Sequence, residues 1–143
     1  MFLVDANLLI YSFSSGAPQH APARAWLDTR LSGRQRVGIP WESVVAFLRV
    51  VTHPRLATPP VAVPTAWRQV ELWLEAPASW IPLPTDRHAE TLGTLLALTG
   101  VIGPHVHDAR LAALALEHGL VLCSTDGDFA RYPGLRWENP LAA

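Results

Sequence analysis

Four acids of this 143-residue chain, Asp5, Glu42, Asp108 and Asp126, each close a short apolar run or open a helical one, and a fifth, Asp128, follows two residues after the last. Carboxylates drawn together from separate segments raise one another's pKa and oppose folding, so such a cluster makes sense only around a divalent cation. Hard oxygen donors select Mg2+ or Mn2+. A cation of that kind lowers the pKa of a bound water and steadies charge growing on a phosphodiester, so the chemistry expected is phosphodiester hydrolysis. Taken singly, each acid has a plainer role. An Asp or Glu at a helix start can serve only as a cap or dipole partner, and Asp128 suits a turn with Gly127.

The elements that must position these acids follow from the apolar periodicity. Phe2 to Val4 is a short apolar strand ending at Asp5, and Asn7 to Phe13 is a helix. Pro22 to Leu31 reads as a second helix, with Ala25, Trp26 and Leu31 as its apolar positions, stopped by Ser32-Gly33. Val37 to Pro40 is a buried strand, and Glu42 sits in the first turn of the helix from Glu42 to Val51. Four prolines between Pro54 and Pro64 predict an extended, exposed arm. Thr65 to Glu75 is a helix with Trp67, Val70 and Leu74 on one face, followed by a strand from Trp80 to Leu83 and a helix from Asp86 to Leu98. His107 to His118 is a helix that Asp108 opens and Gly119 closes. Leu120 to Cys123 is an apolar strand with Asp126 just past its end.

Strands alternating with helices, and apolar throughout, predict an α/β fold with a central parallel sheet of four to five short strands and helices on both faces. In such sheets ligands bind outside the carboxyl ends of the strands, where these acids fall. One domain over 1–143 is expected, large enough to bury its own core.

Composition narrows the remaining possibilities. The single cysteine, Cys123, lies inside an apolar run and reads as a buried, inert thiol in a reducing, cytoplasmic setting. The N-terminus has no basic stretch and carries an acid at position 5, which excludes a secretion signal there, and no apolar run is long and unbroken enough to span a membrane. With 12 acids against 11 basic residues the net charge is near zero, yet placing the five acids in one site leaves a mildly basic remainder. Every basic residue other than histidine is Arg, suited to bidentate phosphate contact, although codon bias produces the same composition.

Met1-Phe2-Leu3-Val4-Asp5-Ala6-Asn7, Glu42 on its helix, Asp108-Ala109-Arg110-Leu111-Ala112-Ala113-Leu114-Ala115 and Ser124-Thr125-Asp126-Gly127-Asp128-Phe129 resemble, in order and spacing, the motifs of PIN-domain nucleases. The likeness extends to VapC toxins of type II toxin–antitoxin pairs, including the ending Tyr132-Pro133-Gly134-Leu135-Arg136-Trp137. The resemblance implies an endoribonuclease dependent on Mg2+ or Mn2+, hydrolysing RNA with a metal-activated water. Asp5 and Asp108 would bind metal, Glu42 and Asp126 would complete the acidic site, and Asn7 and Thr125 match polar site positions. It also implies a cognate antitoxin and a homodimer.

Two other functions compete. Asp126-Gly127-Asp128 after an apolar strand is similar to the nucleophile motif of haloacid-dehalogenase phosphatases, but that motif belongs near the first strand and is not followed by Phe. A non-catalytic RNA- or protein-binding module would keep the fold, yet all four acids are present. His105 and His107 lack the spacing and companion ligands of a zinc site; His107 reads first as a solvated histidine at a helix start, with contact to a substrate near Asp108 as the alternative.

Overall fold

Three residues, Phe2–Val4, suffice for the central strand because every one of them is buried, Leu3 on one face of the sheet and Phe2 and Val4 on the other. The structure, a computed structural model, describes residues 1–142. Ala143, the last residue of the domain expected over 1–143, lies outside the described residues.

The chain runs β1 (Phe2–Val4), α1 (Ala6–Phe13), α2 (His20–Leu31), β2 (Val37–Gly38), α3 (Trp41–Val51), α4 (Val63–Glu75), β3 (Ser79–Trp80), α5 (His88–Leu96), α6 (His105–His118), β4 (Val121–Cys123) and β5 (Trp137–Glu138). A 3-10 turn over Gly127–Arg131 lies between the last two strands. The five strands are parallel, in the order β3-β2-β1-β4-β5. The chain therefore grows outward from β1 in one direction, then returns to add β4 on its other side. Asp5 leaves the sheet at that reversal, where such sheets open a crevice.

Side-chain alternation along the strands splits the core in two. Phe2, Val4, Val37, Ile39 and Cys123 pack under α1 to α4, with Phe47 edge-on to Phe13 and Trp73 at 5.4 and 4.9 Å. Leu3 and Leu122 pack under α5 and α6 with Leu95, Leu114 and Phe129. Burial pushes the Cys123 thiol up to about 12, so it is inert as expected. Among the described residues no helix is long and apolar enough to cross a membrane.

Two glycines are required by geometry. At Gly38 a Cβ would stand 3.1 Å from both the Phe2 carbonyl oxygen and Pro82, so a larger residue fits only if β1 or Pro82 gives way slightly. Gly119, at φ 65°, closes α6 in the left-handed conformation predicted for it.

Several local expectations are corrected. The segment 54–64 is not simply an exposed arm: the Val61 N–H donates to the Val51 carbonyl at 3.0 Å and its side chain packs on the core, returning the chain to start α4 at Val63. In α4 the buried stripe is Ala66, Val70 and Trp73, and Trp67 is exposed. In α2 it is Ala23, Leu27 and Leu31, with Ala25 exposed. β3 ends at Trp80 because Pro82 and Pro84 have no N–H to give the ladder.

The buried carboxylate Glu117, its side chain 1 % exposed, ties α6 to the loop before α5. It accepts hydrogen bonds from the Thr85 N–H (2.9 Å) and hydroxyl (2.6 Å) and contacts His88 Nδ1 at 2.6 Å. Burial alone would raise its pKa, but these partners outweigh burial and lower it. A lowered carboxylate stabilises the fold above its unfolded value, near 4.3, and loses that contribution as pH falls through the folded value. Glu117→Gln is expected to cost about 2 kcal/mol at neutral pH. Thermal melts should show the deficit at pH 7 and its shrinkage below about pH 4.

Candidate active site

β1 delivers Asp5 to the edge of the sheet still in register, since the Asp5 N–H donates to the Cys123 carbonyl at 3.0 Å. Both carboxylate oxygens are held. Oδ1 accepts the Ala6 N–H at 2.7 Å, making Asp5 the N-cap of α1, and Oδ2 accepts the Ser124 hydroxyl at 2.7 Å. The plain capping role and the functional one thus fall on one residue, because each carboxylate oxygen keeps a further lone pair free.

Ser124 is the hub of this end of the sheet. Fully buried just past β4, its Oγ donates to Asp5 and accepts from Asn7 Nδ2 (3.0 Å) and from the Asp126 N–H (3.0 Å). It was not among the residues singled out from the sequence. The available signal was a small polar residue wedged between an apolar strand and an acid. Of the two polar positions expected, Asn7 joins the hub directly, while Thr125 approaches through its backbone N–H, 3.5 Å from Asn7 Oδ1.

Asp108 comes from α6. That helix begins at His105, half a turn earlier than expected, so Asp108 lies inside its first turn and does not cap it. The earlier start puts His105 and Asp108 on one face, with Nδ1 3.4 Å from Asp108 Oδ2 and 3.9 Å from Asp128 Oδ2. Asp126 caps the 3-10 turn, its Oδ1 accepting the Asp128 N–H at 2.9 Å, so the turn role weighed for Asp128 has Asp126 as its acceptor. Asp128 is half exposed, with Arg131 3.8 Å away.

Glu42 enters from the first turn of α3, anchored by its neighbour Ser43, whose hydroxyl donates to the Val4 carbonyl at 2.7 Å. Glu42 Oε1 accepts from Arg110 Nη2 at 2.9 Å, while Oε2 is buried with no hydrogen-bond partner among the described residues. Asp5, Glu42 and Asp108 line one cleft of about 680 Å³ with His107 and Arg110. Asp126 joins the group through Ser124 and through its charge.

The acids strain one another. Burial, together with the charges of Asp108 and Asp126, raises the Asp5 pKa against the hydrogen bonds from Ser124 and Ala6. Burial likewise raises Asp108, with Asp126 and Asp128 adding to it and His105 opposing. Among the described residues, no group of three or more acid, histidine or cysteine side chains is drawn close enough to hold a metal ion as it stands. The donor chemistry nonetheless suits a hard cation: Asp5 and Asp108, from separate elements, are both raised in part by neighbouring acids, and Glu42 beside them keeps a buried oxygen with no partner among the described residues.

A parallel sheet with this reversal, and acids at its carboxyl edge, defines an open α/β fold with an acidic cleft at its switch point. The PIN domain family pattern matches residues 2–135. Ribonuclease VapC37 of Mycobacterium tuberculosis is 42 % identical over 142 residues, covering 99 % of both chains, and Ribonuclease VapC33 of the same species is 33 % identical over 141 residues, again with 99 % of each covered. Among solved structures, VapBC2 of Rickettsia felis bound to a promoter DNA fragment superposes with TM-score 0.70 at 17 % identity, covering 96 % of this chain and 97 % of that one. VapC20 of Mycobacterium tuberculosis, described as a toxin that cleaves the sarcin-ricin loop, superposes with TM-score 0.68 at 16 % identity, covering 95 % and 99 %. The chain belongs to the PIN-domain family, among its VapC ribonucleases. Ribonucleases of this kind are metal-dependent. Membership removes the phosphatase reading of Asp126-Gly127-Asp128, whose first acid instead closes the turn.

Proposed function

We propose that the chain, as one nuclease domain over 1–143, is the toxin of a toxin–antitoxin pair: a cytoplasmic endoribonuclease dependent on Mg2+ or Mn2+. The observation that carries the reading is the convergence of Asp5, Asp108 and Asp126, from three different elements, closely enough that the charges of Asp108 and Asp126 raise the Asp5 pKa and the charge of Asp126 raises that of Asp108. Asp5 and Asp108 would hold the cation, with Glu42 and Asp126 completing the acidic site. The cation supplies charge neutralisation for the phosphodiester and a lowered pKa for attacking water.

The chain's own residues do the rest. Ser124 and the first turn of α1 fix both oxygens of Asp5, so its orientation is set before substrate arrives. Arg110 holds Glu42 Oε1, which fixes that carboxylate at the wall of the cleft beside Asp5 and Asp108. Asn7 and Thr125 steady the Ser124 loop, and Asp128 lies at the rim with His105. The partners in this reading are RNA, a cognate antitoxin and a second copy of the chain. The solved neighbours include toxin–antitoxin complexes, which supports the antitoxin.

Producing the chain in a bacterial host is expected to arrest growth, and co-producing its antitoxin should relieve the arrest. Asp5→Asn should be harmless at equal protein level. Growth curves check this: equal arrest by wild type and Asp5→Asn would mean that toxicity is not nuclease chemistry.

A further inference from the structure

The cleft that holds Asp5, Glu42 and Asp108 has a second wall whose residues cannot ligate a hard cation. Trp41, Val45 and Arg49 follow at intervals of four along α3, forming one line on the helix surface over two turns, about 12 Å. Trp41 is 41 % and Val45 61 % exposed, although both are large and apolar. Arg49 is exposed too, and Arg110 faces the same space from α6, with one guanidinium nitrogen on Glu42. The cleft volume, about 680 Å³, lies within the range of sites that hold a small organic molecule.

The occupant is indicated by charge. A group of acids repels a polyanion, so a nucleic acid reaches them only if cations beside them compensate, and two arginines do stand there. An indole face open to solvent stacks on any unpaired base, and a guanidinium grips phosphate bidentately. A strip of one tryptophan and one valine ending in arginine suits a nucleotide chain better than the continuous apolar face a protein helix would need. Duplex RNA hides its bases from such a platform, whereas a single strand offers them.

We propose that Trp41 is the stacking platform for a base of single-stranded RNA beside the scissile bond, with the adjoining phosphates held by Arg49 and Arg110. The assignment rests on the ribonuclease reading and adds the residues that seat the substrate.

The test is fluorescence anisotropy of a labelled single-stranded oligoribonucleotide in EDTA, where no cleavage interferes, followed by kinetics with metal restored. Trp41→Ala should weaken binding about tenfold or more, and Trp41→Phe, which keeps an aromatic face, should retain most of it. Arg49→Gln should weaken binding for all sequences and lower the slope of log affinity against log salt by about one. With metal, Trp41→Ala should raise KM far more than it lowers kcat. Unchanged RNA affinity and KM in a folded Trp41→Ala protein that wild type outperforms in nothing would overturn the assignment while leaving the ribonuclease reading intact. Loss of self-association or of antitoxin binding in Trp41→Ala, with RNA affinity preserved, would overturn it in favour of a protein interface. Wild type that neither binds nor cleaves RNA would overturn both.

Discussion

Asp108→Asn is expected to abolish RNA cleavage while raising the melting temperature of the metal-free protein at neutral pH. The two effects share one cause. Asp108 is held above its ordinary pKa by burial and by Asp126 and Asp128, and its one close partner, His105, stands at 3.4 Å without a full hydrogen bond. A raised carboxylate binds its proton more tightly in the folded state, so between the unfolded and folded values stability falls as pH rises, and above both the penalty is constant. Asn removes the charge, so the gain should be present at pH 7 and vanish as pH falls below about 4, where the wild-type acid is protonated as well. Asp5→Asn should be equally inactive, but its stability gain is offset. Asn offers one acceptor where Asp5 uses two, and Ser124 loses its charged partner. Calorimetry of both variants in EDTA across this pH range checks the distinction. A lower melting temperature for Asp108→Asn at pH 7 would mean that this acid serves the fold.

The second large effect is expected at Ser124. Ser124→Ala removes three hydrogen bonds at a fully buried position, leaving Asn7 Nδ2 and the Asp126 N–H without their acceptor and Asp5 Oδ2 without its donor. Buried polar groups left unpaired cost on the order of 1–3 kcal/mol, so the variant should lose about 2–3 kcal/mol of stability. Activity should fall by more than the unfolded fraction explains, because Asp5 and Asp126 lose the atom that fixes their relative position. Ser124→Thr keeps the hydroxyl and tests whether the hydrogen bonds or the small volume matter. Denaturant melts beside cleavage rates measured well below the unfolding midpoint separate the two consequences. A Ser124→Ala protein of wild-type stability and rate would contradict the hub.

Much of the site was legible because its acids are tied to sequence punctuation. Asp5 and Asp126 follow apolar strands, and Glu42 and Asp108 begin helices, so a rule about strand ends places them at one edge without coordinates. What escaped are features that local pattern does not encode. β5 is two residues long, Trp137–Glu138, with an apolar and a charged residue that form a strand only because β4 offers an edge. The start of α6 was hidden by Gly103-Pro104, which reads as a breaker although proline fits a helix start. The stripes 66/70/73 and 67/70/74 of α4 are equally helical, and the choice was made by packing against Phe47, which draws in Trp73 and leaves Trp67 outside. Ser124 was invisible as a hub because two of its three partners, Asn7 and Asp5, are 117 and 119 residues distant.

The central claim, a metal-dependent cut in RNA made by the acids around Asp5 and Asp108, is tested most directly by incubating the purified protein with total RNA and mapping new 5′ ends. The account predicts new ends with Mg2+ or Mn2+, none after thorough chelation with EDTA, recovery on adding either metal back, and none from Asp108→Asn under any condition. Cleavage that survives chelation, or that Asp108→Asn performs as well as wild type, would contradict it.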